Sequence, residues 1–372
     1  MTSLAVSDKG VVVVRNLYID HYDYSNHNVI ELPQKAKSQE NDAISDVTLS
    51  SDGQHMAVIT SVSKQLLVYE CPFSEKYKTF LLPRSASKIR FTTDNQQILV
   101  ADKSGDVLIY NIKTEDSGTK LLGHLSLLLD VLQTPDNKFI ITSDRDEKIR
   151  VSCYPNTYNI QSYCLGHKEF VKNIEILPHN EKYVSSASGD GHIKIWDYVE
   201  GKLCYSIDTY VDVNDDQLKE EFSKTMDTEG IETITLPIVH YTVAKFDENS
   251  CFLSVVVHNF NKLLIYKLET VNHKFSHKLI DTLTMERCPS AIKFHNSSLF
   301  LYDNVDSEVT IFSIVKDKTL QLSKKVKMFA HVDFSELNKE SNDSIKVLYK
   351  RRFDNVQEYQ ERKRQRLEKC KQ

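Results

Sequence analysis

His167, Ser186 and Asp190 are an imidazole, a hydroxyl and a carboxylate placed close together in the chain. Those groups are the parts of a nucleophilic triad, with serine as nucleophile and histidine as base. A second chemistry fits the same residues. Together with Trp196 they can form a hydrogen-bonded chain that locks a sheet, because buried polar groups need partners. The flanking pattern favours the lock: Gly166-His167 opens the segment, Gly189-Asp190-Gly191 reads as a tight turn, and Trp196-Asp197 ends a strand. A second cluster, SDRDEKIRVS at 143–152, holds the charges Asp144, Arg145, Asp146, Glu147, Lys148 and Arg150 beside the β-branched Ile149 and Val151. Charges of alternating sign fix register and reject wrong partners in protein docking.

The element that carries both clusters is a repeat. Six segments share a short β-branched or aromatic strand, a turn, and a second strand ending on an aromatic, from which Ser152 departs. Tyr69, Tyr110, Ser152, Trp196, Tyr266 and Phe312 hold one register, at intervals of 41, 42, 44, 70 and 46 residues. A period of roughly 40–45 with four strands per unit is the signature of WD repeats in a β-propeller. The reading is an all-β, seven-bladed propeller over 1–348. Its first blade is built from strands around Leu4 to Tyr24 and closed by a strand from the far end of the chain. In this register Asp146 matches Asp190, Arg150 matches Lys194 and Ser152 matches Trp196, so Asp146 serves either the blade lock or a docking patch. Glu147 stands where the next blade has its turn glycine.

Two segments leave the repeat. Residues 208–232 carry nine acidic residues against two lysines and no strand alternation, which reads as a solvated loop between blades or an acidic lure for a basic partner. Residues 349–372 carry nine Lys or Arg against four acidic residues. They read as a short basic C-terminal helix capped by Asp354 or Asn355, with Phe353, Val356 and Tyr359 anchoring its first turns. Lys350, Arg351, Arg352, Arg362, Lys363 and Arg364 are its candidate contacts to RNA or a partner.

The 372-residue chain has a formal net charge of −5, which argues against nucleic-acid binding along its whole surface. Its seven cysteines are scattered, with no C-x-x-C, so neither a disulfide framework nor a zinc site is expected. The start of the chain does not read as a signal peptide. The longest apolar runs, 11–14 and 252–257, are far short of the roughly 20 residues that span a bilayer, so a soluble intracellular protein with no membrane partner is expected. No Walker loop, H-E-x-x-H or EF-hand loop is present. Neither a cofactor nor a metal is expected on this chain.

The run 121–171, with GHLSLLLDV, SDRDEKIRVS and CLGHKEFV, and FDNV at 353–356, resembles the WD-repeat non-catalytic subunit of tRNA (guanine-7-)-methyltransferase. The resemblance implies a heterodimer. A catalytic subunit would bind S-adenosylmethionine and tRNA and methylate a variable-loop guanine, while this propeller stabilises and activates it. Lys148 and Arg150 would meet carboxylates of that partner, and Asp144, Arg145, Asp146 and Glu147 would complete the patch. A nuclear location, with the cytoplasm as a second compartment, goes with this expectation. The competing reading is a general WD-repeat scaffold, such as a ubiquitin-ligase substrate receptor or a signalling adaptor.

Overall fold

The computed structural model describes residues 2–33, 42–114, 117–233, 235–314, 320–332, 334, 345–351, 361 and 364. Its strands form seven four-stranded antiparallel sheets, each in simple meander order. Blade 1 covers 2–31, blade 2 covers 44–81, blade 3 covers 86–123 and blade 4 covers 128–164. Blades 5, 6 and 7 cover 171–208, 238–284 and 291–327. The six ruler residues all fall on the third strand of their blades.

Strand composition follows position in the blade. Second strands are covered on both faces by neighbouring blades, and they read as unbroken buried runs such as Tyr183–Ser188 and Ser250–Val257. Outermost strands meet solvent, and Tyr77–Leu81 buries only Phe80. The core is divided among the seams between blades. Trp196, fully buried, packs with Leu132, Ile141 and Val151 between blades 4 and 5. A side chain of that size contributes about 1.5–3 kcal/mol or more on burial.

The innermost strands touch one another in a ring around the axis. Polar side chains stitch that ring together. Asp46 accepts the Ile89 backbone N–H at 3.1 Å, Asp130 that of Ile174 at 3.0 Å, and the Thr242 hydroxyl that of Phe294 at 3.0 Å. Arg90 of blade 3 grips Asp130 of blade 4 through two nitrogens, at 3.1 and 2.8 Å, and reaches Glu175 of blade 5 at 3.1 Å.

Closure differs from expectation. All four strands of blade 1 come from the start of the chain, ending with His27–Glu31, and among the described residues no distant strand completes it. Asp23 caps the turn before that strand by accepting the N–H groups of Ser25 and Asn26, so a local hairpin supplies the fourth strand. Blades 7 and 1 are joined by side chains. Arg15 donates to Asn304 O and to Ser307 Oγ, Phe334 covers the Arg15 guanidinium at 3.9 Å, and Asp20 accepts the Phe329 N–H.

The acidic segment is also not a loop. It holds a 3-10 turn, Thr209–Asp212, and a helix α1, Asp216–Thr228, capped by Asp215, which accepts the Leu218 N–H at 3.0 Å. Phe222 and Met226 lie four apart on one face, and both are buried against blades 5 and 6. The carboxylates occupy the other face. That is an amphipathic helix whose apolar stripe is narrow enough to be outweighed by its charge in a composition reading. Among the described residues no helix is long and apolar enough to cross a membrane, and the six cysteines there are free.

Candidate partner-docking surface

The lock of blade 5 is a single hydrogen-bonded chain. Trp196 Nε1–H donates to Ser186 Oγ at 2.8 Å, the Ser186 hydroxyl meets His167 Nε2 at 2.7 Å, and His167 Nδ1–H meets Asp190 at 2.9 Å. Asp190 also accepts the N–H groups of Lys168 and His192. Burial pushes the His167 imidazole below its ordinary range, so it sits neutral between a hydroxyl donor and a carboxylate acceptor. All four side chains are buried, and the Ser186 oxygen already receives the indole N–H. A substrate carbonyl cannot reach that oxygen, so the triad composition serves the blade.

Blade 4 uses the same lock with one residue moved. His124 Nε2 pairs with Thr142 Oγ1 at 2.8 Å, and Nδ1 with Asp144, not Asp146, at 3.0 Å. Asp144 further accepts the Lys148 N–H at 2.9 Å, as Asp190 accepts that of His192. The carboxylate is delivered from the end of the second strand rather than from the turn. Asp144 is 1 % exposed, so it is removed from the docking patch, and the blade role weighed for Asp146 belongs to Asp144. Asp146 stays half-buried in the turn, 3.8 Å from Arg145 Nε. Glu147 takes a left-handed backbone with φ 70°, matching φ 73° at Gly191 in the next turn.

Beyond the turn, Ile149 and Val151 are fully buried toward blade 5, while Lys148 is exposed and Arg150 half-buried on the opposite face. In the next blade the indole of Trp196 lies near Gly166. Blade 4 has Ser152 there, and the Arg150 guanidinium takes up the space. Its Nε donates to Ser152 Oγ at 2.9 Å, Nη1 to Gly123 O at 3.1 Å and Nη2 to Thr157 O at 3.2 Å. A guanidinium has five N–H groups, so two are left uncommitted among the described residues. Arg150 is thus pinned at the outer seam of blades 3 and 4 with donors to spare for a carboxylate.

The chain returns to this region after the last blade. Ile345 and Tyr349 are buried in the core of blades 5 and 6. The Tyr349 hydroxyl donates to Gly189 O at 3.1 Å, and its ring meets that of Phe170 edge-on at 5.1 Å. A Cβ on Gly189 would collide with Phe170, so glycine is required at this crossing. Lys350 pairs with Glu147, and Arg351 with Glu229 at 3.2 Å, where Lys346 also lies at 3.7 Å. Burial, reinforced by the charge of Glu147, raises the nearby Glu169 carboxyl to about 7, against the pull of Lys350. The start of the basic tail is therefore brought onto the charged turn of blade 4, and two of its candidate contacts are already paired with carboxylates. Arg364 is exposed on helical backbone. Arg352, Arg362 and Lys363 lie outside the described residues, as do the expected caps and anchors between 353 and 359.

The family model of the tRNA methyltransferase TRM82 WD40 domain matches residues 21–120 and 110–329. The chain belongs to that family. A Drosophila yakuba protein named tRNA (guanine-N(7)-)-methyltransferase non-catalytic subunit wuho is 32 % identical over 349 residues, covering 88 % of this chain and 75 % of its own. The Danio rerio non-catalytic subunit wdr4 is 29 % identical over 348 residues, covering 90 % and 79 %. A chain from the crystal structure of the mitotic checkpoint complex superposes with a TM-score of 0.61 over 86 % of this chain and 89 % of its own; at 12 % identity it shares the fold alone. In blades 4 and 5 the Thr142 and Ser186 hydroxyls are both buried within their locks.

Three parts of the surface escaped sequence reasoning. The anchor Ile345–Tyr349 precedes the basic run that drew attention. Glu229, which receives Lys346 and Arg351, sits within the segment read as a solvated loop or an acidic lure. The lock residue Asp144 did leave a signal. It follows Asp102 by 42 residues, and Asp102 accepts the N–H four residues on, as Asp144 does.

Proposed function

We propose that this chain is the non-catalytic subunit of a heterodimeric tRNA (guanine-N7-)-methyltransferase. It holds a separate catalytic subunit in its active conformation, and that subunit carries S-adenosylmethionine and the tRNA and forms 7-methylguanosine in the variable loop. Family membership carries the reading. The geometry supports it with Lys148 exposed and Arg150 pinned at the rim of blade 4, both able to meet carboxylates. A pinned arginine loses little side-chain freedom on docking, which lowers the cost of association. The body of the chain is acidic once the basic tail is set apart, which suits tRNA contact made mainly through the partner.

The test is methyl transfer from S-adenosylmethionine to unmodified tRNA in three mixtures: this chain alone, the catalytic subunit alone, and both. Activity that is strong only in the pair is expected. Equal activity with and without this chain would remove the reading and favour a general scaffold.

A further inference from the structure

The segments that hold the Arg150 guanidinium also carry exposed apolar side chains. Tyr163 is its direct partner across the outer two strands, and Ile160 is that of Ser152, so the four share one face of the blade. The carbonyl of Gly123 that accepts Nη1 lies two residues before Leu125, which is fully exposed. The carbonyl of Thr157 that accepts Nη2 lies one residue before Tyr158, which is 93 % exposed. Leu165 follows the same strand at 61 % exposure, and Tyr163 is 40 % exposed. A scattered exposed leucine needs no explanation, but a group gathered about one charge marks an interaction surface. Tyrosine is also among the residues that most often carry binding energy, provided that surrounding contacts exclude water from it.

We infer that this apolar collar, and not the charged turn, carries most of the affinity for the catalytic subunit, an inference that rests on the function proposed above. The occupant is a surface of that subunit with a carboxylate projecting from an apolar face. The carboxylate takes the two uncommitted N–H groups of Arg150, while Tyr158, Tyr163 and Leu165 seal it from water. The charges then set orientation, and the collar holds. Sealed pairs are screened little by salt, whereas exposed ones are screened strongly.

The experiment is titration calorimetry of the full chain against the purified catalytic subunit, at about 0.1 M and about 1 M salt, where the screening length falls from roughly 10 Å to roughly 3 Å. Tyr158→Ser, Tyr163→Ser and Leu165→Ser are compared with Arg150→Ala and Lys148→Ala, with thermal melts confirming that each variant is folded. The wild-type dissociation constant should change less than about tenfold between the two salts. Tyr158→Ser and Tyr163→Ser should each weaken binding about tenfold or more at both, on the scale of interface hot spots. Lys148→Ala should matter only at low salt. Collar variants that bind within about twofold of wild type, while Arg150→Ala fails, would overturn the inference and leave the proposed function standing. Absence of any wild-type association would overturn both. A dimer of this chain by light scattering, dissolved by Tyr158→Ser, would overturn the inference in favour of a second copy as occupant.

Discussion

Replacing Asp144 by asparagine tests how blade 4 is locked. The Asp144 carboxylate is buried and accepts from His124 at 3.0 Å and from the Lys148 N–H at 2.9 Å, one bond to each oxygen. Asparagine keeps one acceptor and turns an amide N–H₂ toward the other donor. A hydrogen bond to a charged group contributes about 1.5–3 kcal/mol, so Asp144→Asn should lower the unfolding free energy by about 2–3 kcal/mol. In blade 5 the corresponding carboxylate is that of Asp190. Burial alone would raise its carboxyl, but the bond from His167 and two backbone N–H groups outweigh it and hold it at about 2, against an ordinary 3.8. That difference corresponds to about 2 kcal/mol. Because the folded value is the lower one, this stability is complete above about pH 4 and lost as pH falls through about 2. Among the described residues the Asp146 carboxylate has only a partly exposed contact, to Arg145 at 3.8 Å, so Asp146→Asn should cost well under about 1 kcal/mol. Equilibrium urea denaturation of the two variants and the wild type gives the comparison. Equal losses, or a larger loss for Asp146→Asn, would refute the assignment of the lock to Asp144.

The axial clamp and the inserted helix give two more expectations. Arg90→Met leaves the carboxylates of Asp130 and Glu175 without their shared cation, and should cost about 3–5 kcal/mol in the same denaturation measurement. Burial would raise Glu175, but Arg90 outweighs it and holds the carboxyl at about 2 against 4.5, so wild-type stability should fall as pH drops from about 4.5 toward 2. Arg90→Met should flatten that fall, which melting temperatures across the acid range would record. Phe222→Ala removes a buried ring of α1 and should cost about 3–5 kcal/mol; a solvated loop, as composition suggested, would lose almost nothing.

The propeller was legible because its repeat is set by covered strands, whose aromatic ends recur at a nearly fixed interval. The lock of blade 5 was legible for the same reason. In blade 4 the alignment put Asp146 on Asp190, yet the carboxylate comes from Asp144. Strand side chains return to the same face every two residues. A carboxylate can therefore slip by two and still meet the same histidine and the same turn N–H, and spacing alone does not reveal the slip. The helix α1 was hidden because its fully buried face is narrow, Phe222 and Met226, while its exposed face dominated composition. The position of the tail depends on Ile345 and Tyr349 meeting blades 5 and 6 across a long sequence separation, which no local pattern encodes. Arg150 was legible as a docking charge but not as the substitute for a tryptophan, since that role exists only in the space left by Ser152.

The joint between blades 7 and 1 has a mechanical meaning. Each blade is spun from one unbroken stretch of chain, so the ring is a linear stack bent until its ends meet. Those ends are riveted by Arg15, Asp20 and Phe334 rather than woven through a shared sheet. A load that pulls the first and last blades apart would work against an apolar seam and side-chain bonds, and not against a ladder of backbone bonds shared by the two blades. The same holds at every seam, because among the described residues no two blades share a sheet. The ring could equally be opened between any other two blades by moving the chain ends there.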